Sequence, residues 1–199
     1  MTGHRLNTSS AGRRTPPQRT RDRILAAAAE LLARDTGASL ARVSAAAGVG
    51  RTTVHRYFAT REDLIEALAV ESMRAVRDVF IDCRLDDGSV PEVLARIADA
   101  VLPLAAELRY LDTAQGAWEL PEVRRVWDAI VDDLDRLVER GQRDGDLRAD
   151  VPAALVVNVF VGALWGVDDG VRDGRIAPAG ASHRLVAVVL DGVTTQRVP

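Results

Sequence analysis

The chain has 199 residues, 47% of them apolar and 28% charged, a globular composition that suits one domain or a small domain joined to a larger one. All 26 basic residues are Arg, and the lack of Lys excludes a phosphate-binding-loop ATPase, a Schiff-base enzyme and a Ser-Lys hydrolase. No uninterrupted apolar run reaches the roughly 18 residues of a membrane helix, and no apolar leader opens the chain, so a cytoplasmic protein without membrane contact is expected.

Residues 1–18 are polar and Arg-bearing, contain Pro16-Pro17, and read as a flexible basic arm. From Arg19 to Arg34, Ile24, Ala28, Leu31 and Leu32 recur at helical spacing and predict a first helix. Gly37 ends it, and Ser39 caps a second helix with Leu40, Val43 and Ala47 on one face. Gly48 breaks that helix, and a short third one runs from about Gly50 to Phe58 with Val54 and Phe58 inward. Thr60 and Asp63 form a capping pair that opens a longer fourth helix through Leu64, Leu68 and Val79. Asp86-Asp87-Gly88-Ser89 is a turn, and Ser89 with Glu92 is a second capping pair. Pro103 and Pro121 divide the next stretch of chain, Pro121 fitting the first turn of a new helix that runs to about Gly141. Two apolar segments, 152–171 and 182–193, close the chain. The second is Val-rich and by propensity could be a strand, but a lone strand has nothing to pair with. The predicted fold is all-α.

Charge is distributed unevenly. Residues 1–61 hold eleven Arg and three acids, a balance of +8, whereas residues 62–199 stand at −11. A basic head on an acidic body points to a polyanionic partner at one end only, nucleic acid first, because neutralising phosphates releases counterions. The single Cys83 agrees with a reducing compartment.

Residues 39–58 carry the chemistry. Two short helices meet at Ala47-Gly48-Val49, where Gly48 supplies the left-handed backbone of a helix-turn-helix and Ser44 and Ala45 are small enough for close approach. The second helix turns Arg51, Thr52, Thr53, His55, Arg56 and Tyr57 outward, a donor-rich surface suited to the DNA major groove. An ordinary helical hairpin is the plain alternative, and the Arg-rich flanks weigh against it.

The run Arg23-Ile24-Leu25, then Ala46-Ala47-Gly48-Val49-Gly50-Arg51-Thr52-Thr53-Val54-His55-Arg56-Tyr57-Phe58, then Arg61-Glu62-Asp63-Leu64 resembles the DNA-binding domain of the tetracycline-repressor (TetR) family. The resemblance implies an all-α homodimer of about nine helices. Residues 19–64 would bind double-stranded operator DNA, and residues 65–199 would hold a ligand pocket and the dimer interface. Carried over by position, Thr53 is a DNA contact, Arg51 and Thr52 reach base edges, and His55, Tyr57 and Arg61 meet phosphates. His55 stands where the family usually has Tyr, which exchanges a hydroxyl that donates at any physiological pH for an imidazole.

In the body, Tyr110, Gln115, Trp118, Trp127, Asn158 and Trp165 are the candidate pocket residues, aromatic walls with a few polar groups for a small apolar or aromatic effector. Each Trp could equally be core, and the Asn158 amide could find its partner on a neighbouring helix. Gly162 and Gly166, four apart, with Leu185, Val189 and Val193, suggest a helical dimer interface. No Gly-x-Ser-x-Gly elbow or paired-Cys site occurs, and the three His stand in separate segments, so no enzyme, metal or cofactor is expected. The expected function is a ligand-responsive transcriptional regulator, a repressor released from a palindromic operator. A constitutive DNA-binding protein and a small helical enzyme are the alternatives.

Overall fold

The computed structural model describes residues 15–108 and 116–193, with side chains to 104 and to 191 in the two stretches. These residues form eight α-helices: α1 (Pro16–Leu32), α2 (Leu40–Ala47), α3 (Arg51–Tyr57), α4 (Arg61–Asp82), α5 (Val90–Leu108), α6 (Pro121–Asp144), α7 (Ala153–Arg172) and α8 (Ala181–Val193). A 3-10 turn at Ala117–Glu119 precedes α6, and no strand occurs among the described residues. The all-α expectation holds, including the Val-rich last segment.

Packing separates two compact units. One comprises Met1–Ala75 with Ala106–Arg125, the other Val76–Ala105 with Val126–Pro199. This division falls inside α4 and not at the 64/65 boundary that the motif suggests. A long helix shows no break in its own sequence at the point where its neighbours change.

In the first unit α1 packs on α2, and α2 on α3. Ile24, Ala28 and Leu32 of α1 meet a core completed by Val43, Val54, Phe58, Leu64 and Leu68, all buried. α1 begins at Pro16, earlier than the Arg19 marked by periodicity. The Thr15 N–H donates to Gln18 Oε1 at 2.8 Å, and Pro16 in the first turn has no N–H to leave unpaired. Capping chemistry extends the helix into the expected arm. The Thr60–Asp63 pair forms as expected, with reciprocal bonds of 2.9 and 3.0 Å opening α4.

The second unit is built on buried Val93, Leu94 and Ile97 of α5, Ile130, Leu134 and Leu137 of α6, and Val157, Phe160 and Leu164 of α7. Pro103 does not end α5, which continues to Leu108. The well-buried turns before it hold the helix, so one missing hydrogen bond does not stop it. α7 and α8 pack on each other. At Gly170 a Cβ would lie 2.5 Å from Ile176, so this glycine lets the chain return closely against its own helix. By length and mean hydropathy alone α7 would serve as a membrane span. The apolar run that is too short on its own becomes long enough once Asn158 and the flanking turns are counted in one helix.

Candidate nucleic-acid interface

The turn between α2 and α3 is fixed from several directions. Gly48 sits at φ 62° and ψ 38°, the left-handed region that favours glycine. The Ser44 hydroxyl, buried at the corner, donates to the Val49 carbonyl at 2.7 Å. From α1, Arg23 donates through Nη2 to the Ala47 carbonyl at 2.8 Å and to that of Gly48 at 3.3 Å. A guanidinium on the last carbonyls of α2 also favours the negative end of that helix. The angle of α3 is therefore set by backbone conformation and charge-assisted bonds as well as by apolar packing.

On α3 only Val54 is buried, joined by Phe58 just beyond the helix end. Arg51, Thr52, His55 and Arg56 are exposed, while Thr53 and Tyr57 are half-buried. The Arg56 guanidinium lies 5.3 Å from the centre of the Tyr57 ring, a cation–π contact that limits where both can point. From Thr36 to Arg61 the chain holds four Arg and no acid, so this surface is positive throughout. It offers donors for base edges and cations for phosphates on one short helix.

Arg61 is placed differently from the expected phosphate contact. Its Nε donates to the Ala38 carbonyl at 3.2 Å and its Nη2 to the Thr36 carbonyl. The side chain holds the α1–α2 connection to the start of α4. Arg23 and Arg61 in this structural role are not legible in the sequence, where a long cation beside a DNA-binding motif reads equally well as a phosphate contact.

His55 Nδ1 lies 3.3 Å from the Ala59 carbonyl. A carbonyl only accepts, so Nδ1 carries the proton in this contact, and Nε2 of the neutral ring is left as an acceptor. His55→Ala is expected to weaken operator binding about equally on specific and scrambled DNA, as the loss of a phosphate contact does. Unchanged affinity would remove His55 from the phosphate contacts.

A chain of contacts runs away from α3 within the first unit. The Arg21 guanidinium lies 5.8 Å from the Phe58 ring centre and 3.3 Å from Glu71 of α4. Glu71 also pairs with Arg74 at 3.2 Å, and Arg74 Nε donates to Glu122 of α6 at 3.0 Å. The bond to Glu122, opposed by a smaller desolvation, raises the Arg74 pKa above its ordinary value. Arg21, Glu71, Arg74 and Glu122, with Asp63 and Leu120, line a groove of about 430 Å³.

The predicted pocket residues do not gather in that groove. Trp118, in the first unit, and Trp127 and Trp165, in the second, are each half-buried. Tyr110 and Gln115 lie outside the described residues. Asn158 is exposed on α7, which corrects its expected place in apolar surroundings. Asp135 Oδ1 of α6 is buried without a hydrogen-bond partner, and no spacing in the sequence marks it. Among the described residues no three His, Cys, Asp or Glu side chains gather as a metal set.

The dimer candidates divide. Gly162 and Gly166 lie on the exposed side of α7, and a Cβ on either would meet nothing within 4 Å. Leu185 and Val189 are only 4% and 5% exposed. They belong to the protomer's own core, not to an interface, and Val188, 75% exposed, faces outward instead. α8 is apolar on several sides, so periodicity marks a stripe without saying which one its own neighbours cover. The Val193 side chain lies outside the described residues.

Residues 24–68 match the family model of bacterial regulatory proteins, tetR family. Over 180 residues the chain is 31% identical to the HTH-type transcriptional repressor LfrR of Mycolicibacterium smegmatis, covering 89% of this chain and 90% of that protein. It is 27% identical over 183 residues to the HTH-type transcriptional regulator NfxB of Pseudomonas aeruginosa, covering 87% and 94%. The crystal structure of LfrR from Mycobacterium smegmatis in complex with proflavine matches with a TM-score of 0.74 at 26% identity, over 89% of this chain and 98% of that one. The fatty acid degradation regulator FadR from Bacillus halodurans shares the fold, with a TM-score of 0.73 at 21% identity over 91% and 98%.

Proposed function

This chain belongs to the tetR family of bacterial regulatory proteins and is a DNA-binding transcriptional regulator, and we propose that it acts in the cytoplasm as a homodimeric repressor released from a two-fold operator by a small molecule. The observation that carries this reading is the exposed, acid-free surface of α3 on a turn locked by Gly48, Ser44 and Arg23. Arg51, Thr52 and Thr53 are assigned to base edges, and His55, Arg56 and Tyr57 to phosphates. Regulators of the family are dimers that bind operator DNA, and two-fold symmetry of the protein matches two half-sites about one helical turn apart or a multiple of it.

The effector is assigned to the half-buried Trp127 and Trp165 of the second unit as a small apolar or aromatic molecule. Proflavine, present in the LfrR structure, is the first probe. It is expected to change tryptophan fluorescence and dissociate the operator complex with one midpoint. Trp127→Ala should lose both responses while keeping operator affinity. A fluorescence change without DNA release would favour a constitutive DNA-binding protein. A Trp127→Ala variant that unfolds would place that ring in the core and not in the pocket.

A further inference from the structure

The outward side of α7 carries Leu155, Asn158, Val159, Gly162 and Gly166, one stripe at helical spacing. Leu155 and Val159 are 52% and 48% exposed, two of four large apolar side chains so exposed among the described residues; Val188 of α8 is another. The two glycines cost helix propensity and return nothing within the protomer, since a Cβ on either would meet open space. Their use is the close approach of another backbone. On α8 the exposed residues are His183, Arg184, Ala187, Val188 and Asp191, with Arg184, whose Nη2 donates to the Ala177 and Ala179 carbonyls, at one end, Asp191 at the other and apolar groups between. Such a face complements a copy of itself turned end for end, as an isologous two-fold interface requires. The occupant is therefore a second copy of this chain, in accord with the homodimer proposed above, on which this inference rests.

Within that face Asn158 is the polar residue between Leu155 and Gly162, and its side chain has no role inside the protomer that would explain an amide there. We propose that Asn158 fixes the register of the homodimer. Once the second copy covers α7, the amide must find donors and acceptors across the interface, because leaving them unpaired in an apolar contact is costly. Sliding one protomer by a helical turn keeps the apolar contacts of Leu155 and Val159 roughly equivalent, so these alone do not choose an alignment. The same slide leaves the amide unpaired. A single Asn in an apolar helical seam selects register and oligomeric state in this way, at some cost in stability. The amide thus selects which of the possible dimers forms.

The test uses the full-length protein, its Asn158→Leu, Asn158→Asp and Leu155→Glu variants, and sedimentation velocity. Both positions are exposed in the protomer, so circular dichroism should show unchanged helix content. Asn158→Leu is expected to keep self-association but to give a mixture of assemblies in place of one dimer. Asn158→Asp should raise the dimer dissociation constant by about tenfold or more, since each copy brings a carboxylate to the interface. A single wild-type-like dimer in Asn158→Leu, or an unchanged dissociation constant in Asn158→Asp, overturns the assignment. Leu155→Glu separates the two levels. If it dissociates the dimer while both Asn158 variants behave as wild type, only the register role fails. If it leaves the dimer intact, α7 is not the interface, and the register role falls while the homodimer stands.

Discussion

Replacing Gly166 with Trp is expected to leave the protomer folded while abolishing self-association and operator binding together. A Cβ at this position meets nothing within 4 Å, and the position lies on the exposed side of α7. Removing a mid-helix glycine should even stabilise α7 by up to about 1 kcal/mol. The damage falls on the second copy, which loses the close approach that the glycine allows. Two heads held together bind as one bivalent unit, and separating them forfeits an affinity advantage of about 10² to 10⁴-fold. Gly170→Trp provides the contrast. Its Cβ would collide with Ile176 at 2.5 Å, so that variant should lose thermal stability before it loses association. Light scattering and thermal melting on the two proteins check the pair. A Gly166→Trp dimer of wild-type affinity would place the interface elsewhere.

Arg51→Ala is expected to cost about 1 to 3 kcal/mol on the specific operator and far less on scrambled DNA, because a guanidinium at a base edge discriminates as well as attracts. Arg51 is exposed at the first position of α3, where its side chain is free to reach a groove. Arg61→Ala should act differently. Its guanidinium holds the carbonyls of Thr36 and Ala38, so its loss should lower thermal stability by about 1 kcal/mol and weaken all DNA sequences alike. Titrating both variants against specific and scrambled duplexes, with melting curves alongside, separates reading from positioning. An unchanged ratio of specific to scrambled affinity in Arg51→Ala removes it from the base contacts.

What the sequence disclosed depended on how local the physics was. The α2–α3 turn was legible because Gly48, Ser44 and the apolar Val49 and Val54 do their work within ten residues. The cap at Thr60–Asp63 was legible for the same reason. The Thr15–Gln18 pair is equally local, but the surrounding polar residues read as an arm. The helical state of α8 followed from the lack of any strand to pair with, despite its Val content. Its orientation did not, because Leu185, Val188 and Val189 are interchangeable by hydropathy and only packing separates them. Asn158 stands out in the sequence as an amide among apolar residues, yet periodicity does not say whether its neighbours face the protomer core or another copy. Arg23 and Arg61 find carbonyls more than twenty positions away in the chain, and no spacing rule reaches that far.

Two copies of this chain are proposed to read a two-fold operator through α3. Footprinting the wild-type protein on the DNA upstream of its own gene and its neighbours tests it most directly, with Arg51→Ala run in parallel. The expected result is a pair of symmetry-related protected half-sites, about one helical turn apart or a multiple of it, that fade together in the variant. Protection of a lone half-site, or protection that Arg51→Ala leaves unchanged, would contradict it.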